Sequence, residues 1–402
     1  MKKILNLEYS CIHGSYWMYY GVAYSFSSAF LLSRGYNNSQ IGIILAIGNI
    51  LAVLLQPIMA DIADKSKKIS VFEVGKLSSA FLMVLSSLLF VIKGSCSALS
   101  ILFVMIVGWL VALQPILNAL AFKLSETKHK INFGACRSVG SLAYSIITWF
   151  LGSLVEKKGA EILPITGEFV LLMLLTSLIL TKFHFNKASQ NDYAKITKES
   201  AENIETADIP NERINLLDFA RRNKMFLILN LGVVGVYFSN SILNNYMLQI
   251  VENVGGSSTD MGRILSVMAF LELPTLFFFE NIRRRFSCQQ LLKFSAIAFV
   301  IKIALIFLAD GVPLIYIAHV FQLVSFALFL PAMVGFTAEK MSPGEAVKGQ
   351  ALYTAMITVS SVFASVIGGI LLDSSGAKLM LLAATVITAI GAMIVICVTD
   401  KI

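Results

Sequence analysis

A helix needs about 20 largely apolar residues to cross a bilayer, and this chain supplies runs of that length twelve times. The spans read as roughly 13–33, 41–63, 71–92, 97–123, 133–155, 163–183, 223–250, 258–282, 288–308, 313–338, 345–372 and 378–398. Twelve such helices use about 240 residues, so a chain of 402 residues holds them, short loops and little else. Composition agrees. Hydrophobic residues make up 57% and charged residues only 14%, where soluble domains carry about 25% charge; the mean hydropathy is +0.77. No soluble core of one or two domains hides that fraction of apolar side chains. An ordinary cytosolic enzyme, a disordered chain and a secreted disulfide scaffold are excluded. The expected fold is an all-α membrane protein with twelve transmembrane helices.

The net charge of +8 invites a nucleic-acid reading, but its placement argues otherwise. Of the 32 Lys and Arg, six fall in loops on one side of the spans: Arg34, Lys93, Lys157, Lys158, Arg263 and Lys378. Arg137 and Lys302 lie inside spans, and the remaining 24 fall on the side of the two termini. Basic residues collect on the cytoplasmic face of a membrane protein. Both termini are therefore expected in the cytoplasm, with the chain in the inner membrane, and the basic residues set topology. No nucleic-acid partner is expected.

The five cysteines show neither CxxC nor metal-ligand spacing, so no metal and no cofactor is expected. The basic start Met1-Lys2-Lys3 leads into a Tyr-rich run with no small-residue cleavage site, which reads as a structural span and not a signal peptide. There is no GxxxxGK[ST] loop for a nucleotide and no nucleophile elbow, so an enzyme is not expected.

Two halves are visible. The longest polar stretch runs from about His184 to Arg222 and reads as a flexible linker. It divides the chain into bundles at 1–183 and 223–402 around a linker at 184–222, with a short surface helix expected near Asn215. The halves repeat weakly. Gln56-Pro57, Asp64 and Lys67-Lys68 match Leu273-Pro274, Asn281 and Arg284-Arg285 at an offset of 217. Gly152 and Gly159 match Gly369 and Gly376 at the same offset, and Gln114-Pro115 matches Leu330-Pro331 at 216. Parallel repeats of six spans are a transporter architecture, with the substrate site between the halves near the midplane.

Ionisable groups inside a bilayer cost about 2.5–3.5 kcal/mol each on insertion scales, so they should face a cavity and find partners. Four qualify: Arg137, Glu272, Lys302 and His319. Tyr144 follows Arg137 by seven residues and shares its helical face. A planar guanidinium beside an aromatic ring suits a polyhydroxylated solute; the plainer reading is an Arg snorkelling to the interface. Glu272 lies mid-span, two residues before Pro274, and a carboxyl in a dry site can carry a proton. Lys302 and His319, on the next two spans, would modulate it. The alternative is a permanent Glu272–Lys302 ion pair, with His319 a core hydrogen-bonding residue.

Polar side chains at helical spacing mark a candidate cavity. Tyr16, Tyr20 and Tyr24 form a row on span 1, Tyr237, Asn240 and Asn244 on span 7, and Gln114 and Asn118 sit one turn apart on span 4. Tyr20, Tyr24, Asn240 and Asn244 are expected to line the cavity and Tyr16 to sit in an interface belt. The amides would read hydroxyls and carbonyls of a solute, or serve as glue between helices.

The segment Ala60-Asp61-Ile62-Ala63-Asp64-Lys65-Ser66-Lys67-Lys68 resembles the loop 2–3 motif GxxxD(R/K)xGR(R/K) of the major facilitator superfamily, lacking both glycines. Gln56-Pro57, the block Phe133-Gly134 through Arg137, Gly140-Ser141 and Tyr144, Glu272-Leu273-Pro274 and His319-Val320-Phe321 resemble its lactose permease and nucleoside symporter branch. The resemblance covers almost the whole chain. It implies two pseudo-symmetric six-helix bundles, sugar binding at Arg137 with Tyr144 stacked on the sugar, coupling residues at Lys302 and His319, and a gate at Asp64. Two positions depart from it: the acids that lactose permease carries on helices 4 and 10 are Asn118 and Gln322 here. A neutral amide does not carry a proton, which leaves Glu272 as the deep acid.

The expectation is a monomeric secondary transporter of a small polar solute (a sugar, oligosaccharide or nucleoside), coupled to H⁺ symport. The rival is a multidrug/H⁺ exporter of the same fold, against which span 5 lacks the Gly-Pro motif usual in such exporters. A membrane sensor would need a signalling domain, which the sequence does not contain.

Overall fold

The computed structural model describes residues 2–65, 70–125, 131–196 and 222–402, and these are helical with no strand among them. The elements are α1 (Lys2–Tyr20), a π-helical turn (Gly21–Ser25), α2 (Ser27–Ser33), α3 (Asn38–Lys65), α4 (Val71–Leu88), α5 (Ser97–Ser125), α6 (Phe133–Lys158), α7 (Ile162–Ile196), α8 (Lys224–Glu252), α9 (Ser258–Arg283), α10 (Cys288–Phe307), α11 (Val312–Val320), a 3₁₀ turn (Phe321–Leu323), α12 (Phe326–Lys340) and α13 (Pro343–Thr399). Among these residues ten helical segments are long and apolar enough to cross a membrane. One of them, α13, reverses at Gly376 (φ 80°) and so crosses twice. With span 1, built from α1, the π turn and α2, the chain has twelve crossings in two six-helix bundles. An even number of crossings brings both termini to one end, called here the terminal end; the other is the distal end.

Two spans run further than their hydropathy suggests. Span 1 begins at Lys2, where the sequence places its start near residue 13. Its extra turns are amphipathic: Leu5, Tyr9 and Ile12 are fully buried while Asn6, Glu8 and Ser10 stand between them, so average hydropathy dilutes the signal. Span 6 runs on through α7 to Ile196, into the stretch read as linker. The rest of that stretch and the surface helix near Asn215 lie outside the described residues.

The internal repeat is visible in the backbone. Gly159 and Gly376 both have positive φ, 79° and 80°, and each turns the chain after the fifth span of its bundle. Only glycine takes that conformation without a Cβ clash. The four repeat-related prolines, Pro57, Pro115, Pro274 and Pro331, all lie inside helices.

The apolar packing says which end is closed. One continuous core joins the first bundle to the distal halves of the second, through Ile242, Tyr246, Leu265, Ile303 and Ala364. The terminal half of the second bundle packs as a separate core around Phe226, Tyr237, Phe299, Phe329 and Phe336. At the distal end α3 crosses α13 and α6 crosses α9 at backbone contact, and a methyl added to Gly42, Gly369, Gly152 or Gly262 would strike a carbonyl oxygen of the opposite bundle. The bundles are thus joined distally.

Candidate functional site

A buried lysine and two half-buried charges come together between the bundles. Lys302 on α10 is 1% exposed, and its Nζ donates to Oε1 of Gln322 at 2.5 Å. Gln322 in turn donates through Nε2 to Oε1 of Glu272 on α9 at 2.8 Å. Glu272 lies within electrostatic range of both Lys302 and, across the gap from the first bundle, Arg137. Glu272 and Lys302 do not form a direct pair, because the Gln322 amide stands between them. The amide has one acceptor and one donor end, and each faces the charge it suits.

Gln322 reaches that place because span 10 is broken. α11 ends at Val320, the 3₁₀ turn follows, and Ser325 leaves helical geometry (φ −93°, ψ −96°) before α12 begins. Thr275 of α9 donates to the Leu323 carbonyl at 2.8 Å, so α9 supports the break at two points. Irregular backbone at membrane depth persists only where protein or a cavity satisfies it. No Gly or Pro marks the break in the sequence.

His319 is fully buried one turn before. Its Nδ1 meets the Ile315 carbonyl at 2.8 Å, and its Nε2 has no partner among the described residues. It lies within electrostatic range of Lys302.

On the first bundle the guanidinium of Arg137 stacks over the Trp17 ring at 4.1 Å and donates to Ser141 Oγ at 3.3 Å. Tyr144, on the same face of α6, turns away from that stack: its hydroxyl pairs with Ser25 Oγ at 2.8 Å. Trp17 is thus a partner of Arg137 that spacing arguments missed. It stands at i, i+3, i+7 with Tyr20 and Tyr24, and that pattern would have found it. Trp17 and Tyr20 are tilted at 5.1 Å, while Tyr20 and Tyr24 stack at 4.8 Å.

The π turn sits under Tyr24. A π turn inserts an extra residue into a helix and is common at functional sites. Here it carries the Phe26 N–H back to the Gly21 carbonyl. The Tyr24 hydroxyl accepts from Asn49 at 3.0 Å and lies 3.4 Å from Ser361 Oγ of the other bundle.

The remaining candidates divide. Gln114 and Asn118 are half-buried on α5, and Asn118 Oδ1 has no partner among the described residues. Asn240 is buried with its Oδ1 unpartnered, and Asn244 is half-buried. It is Asn245, next along, that bonds Ser365 at 2.8 Å. Tyr237 belongs to the second core, its hydroxyl 2.7 Å from that of Tyr353, and does not continue the Asn240 stripe. Tyr16 is no belt residue: it is 1% exposed and donates to the Leu110 carbonyl. The Asp64 side chain lies outside the described residues.

Twelve helices in two related bundles, with Lys302, Gln322 and Glu272 of one joined in a chain and Arg137 of the other in electrostatic range of it, have the architecture of a membrane transporter. The chain belongs to the MFS_1 like family, whose model matches residues 9–383, and so to the major facilitator superfamily. A maltose permease of Geobacillus stearothermophilus is 22% identical over 396 residues, 95% of this chain and 93% of that one. The uncharacterized transporter YwbF of Bacillus subtilis is 21% identical over 76% of this chain and 71% of that one. A protein of Deinococcus radiodurans, provisionally named a sugar efflux transporter, is 28% identical over 125 residues, and the chain spans about a third of its length (32%). Among solved structures, a point mutant of the nucleoside transporter NupG superposes with a TM-score of 0.78 at 13% identity, covering 98% of this chain and 99% of that one. A bacterial homologue of the lysosomal transporter Spinster gives 0.66 at 13% identity, covering 99% and 97%. These structural likenesses carry the fold.

Proposed function

We propose that the protein is an H⁺-coupled symporter of a small hydroxylated solute, a sugar or nucleoside, working as a monomer by alternating access. The asymmetry of basic residues supports termini in the cytoplasm of an inner-membrane protein, and on that reading a form joined at the distal end is inward-facing. The observation that carries the reading is the Lys302–Gln322–Glu272 chain, with Arg137 facing it from the other bundle. Glu272 is the one acid of the group and the proton site. Lys302 and Gln322 hold it, and His319 supports Lys302. Arg137 over Trp17 supplies a donor edge beside an aromatic wall, and the Asn118 and Asn240 oxygens, unpartnered in the protein, accept from solute hydroxyls. Gln114, Asn244, Tyr20, Tyr24 and Tyr144 complete the lining, and Asp64 belongs to the cytoplasmic gate. The names of the maltose permease and of NupG support a hydroxylated solute, because sugars and nucleosides share that chemistry.

The test has two stages. Purified protein is screened by thermal shift against sugars, nucleosides and hydrophobic cations; a ligand at about 100 times its Kd adds ~2.7 kcal/mol. A sugar or nucleoside hit that is lost in Arg137→Ala supports the site, and hits confined to hydrophobic cations overturn it in favour of an exporter. In vesicles, Glu272→Gln is expected to abolish uphill accumulation and spare exchange. Normal accumulation in that variant removes Glu272 as the proton site.

A further inference from the structure

We propose that Glu156 and Asp373 are positioning residues of the transport cycle, each fastening the distal closure by capping the first turn of a helix in the opposite bundle. The inference rests on alternating access and on neither the solute nor the coupling ion assigned above.

Asp373, on α13, accepts from the backbone N–H of Asn38 at 3.0 Å and of Ser39 at 2.7 Å, and from Asn38 Nδ2 at 2.9 Å, all at the start of α3. Glu156, at the end of α6, accepts from Ser257 Oγ at 2.7 Å and from the Thr259 N–H at 3.2 Å, at the start of α9. In both cases the acid and the helix it caps belong to different bundles.

The two caps are copies of one device. Glu156 and Asp373 are 217 residues apart, the offset of the internal repeat. One turn before each stands a glycine, Gly152 or Gly369. The Gly152 carbonyl accepts from Ser258 Oγ at 3.3 Å and the Gly369 carbonyl from Ser39 Oγ at 3.4 Å. A methyl on either glycine would strike the opposite backbone, at the carbonyl of Ser258 or of Asn38. The glycine brings the helices to contact, and the acid one turn later reaches the exposed N–H groups.

Neither acid is needed to finish its target helix. α9 carries its own complete capping box between Ser257 and Asp260. α3 is capped locally by reciprocal bonds between Asn37 and Gln40 at 2.8 and 3.0 Å. The cross-bundle carboxylates are additional, and they exist only while the distal ends are together. First-turn N–H groups are fixed in direction and favour an anion through the helix dipole. A contact made in one state of a two-state equilibrium shifts that equilibrium by its whole worth. Release of the distal end therefore requires both caps to break, one on each side of the central site.

The experiment uses the full chain in lipid vesicles. Ser365 is fully buried beneath the α3–α13 crossing, so a Ser365→Cys variant reports distal opening through its rate of reaction with a membrane-impermeant maleimide, read on the peptide that holds residue 365 so that the five native cysteines do not contribute. Glu156→Ala and Asp373→Ala are each expected to speed that reaction about threefold, and the pair about tenfold, since each cap holds the closed state independently. Glu161→Ala, which loses only the Arg34 pair within the first bundle, leaves the rate unchanged. The conservative exchanges Glu156→Asp and Asp373→Glu keep the rate within about twofold of the parent; the single alanine variants stand in if the double variant fails to fold, and parental rates in both overturn the proposal. A double variant that folds and reacts at the parental rate overturns the proposal, as does an equal acceleration by Glu161→Ala. The readout needs no substrate, so it stands or falls separately from the solute and the coupling ion.

Discussion

The guanidinium of Arg137 lies 4.1 Å above the centroid of the Trp17 ring, so the cation's face is covered and its donor edge is left for Ser141 and for whatever enters between the bundles. A cation over an indole contributes about 0.5–2 kcal/mol depending on desolvation. Trp17→Leu is expected to raise the half-saturation concentration for transport about three- to thirtyfold. Trp17→Phe should stay nearer the parent. Arg137→Lys should be as damaging as Trp17→Leu, because an ammonium cannot present a planar fork. Initial uptake rates across a solute series measure all three.

Gln322 separates two charges that would otherwise meet. Replacing it with Leu leaves Lys302 and Glu272 each short of a buried partner, at about 1–3 kcal/mol per group. Thermal unfolding of Gln322→Leu in detergent should show that loss. Adding Lys302→Leu should recover part of it, since an apolar pair leaves fewer buried groups unsatisfied. A double variant less stable than the single one contradicts the bridge.

Gly159 and Gly376 share one backbone conformation at equivalent turns. Each Ala substitution should cost about 1–2 kcal/mol from the left-handed φ. Both added Cβ atoms meet open space, so the two losses should agree in size. Unfolding midpoints of the two variants test this directly.

Tyr24 is the hydroxyl through which Asn49 of the first bundle reaches Ser361 of the second. Tyr24→Phe keeps the ring stacked on Tyr20 and leaves the Asn49 amide with its bond to the Leu45 carbonyl. The expected effect is a modest change in transport rate, about two- to fivefold, with stability within about 1 kcal/mol. Uptake rate and midpoint measured on the same preparation separate the two.

The hydropathy of the chain revealed its twelve crossings because a bilayer demands long apolar runs, and the prolines and glycines at a constant offset revealed the two bundles. What stayed hidden was local backbone irregularity. The break at Phe321–Leu323 has no Gly or Pro; it exists because Gln322 finds Lys302 and Glu272 on other helices and Thr275 takes a carbonyl. The π turn was equally silent, since Gly21 shows its purpose only against Tyr144 and Thr148. Arg137, Glu272 and Lys302 were legible as charges that needed partners. Their partners were harder to see: Trp17 shares the helical spacing of Tyr20 and Tyr24 but nothing in that spacing names Arg137, and Gln322 shows no spacing at all, because contact between helices leaves none in a single sequence. The belt reading of Tyr16 misled, since its ring is core, and Tyr237, at helical spacing with Asn240, is core as well.

Span 1 of the first bundle and span 10 of the second each carry one irregular turn, at Gly21–Ser25 and Phe321–Leu323, beside the central site. Amides held outside the regular helical ladder open more readily than those within it. In deuterated solvent these two segments should take up label ahead of the rest of their helices whenever water reaches the middle of the molecule. The transporter therefore carries its own hydration clock, one hand in each bundle, legible by mass spectrometry without any side chain being altered.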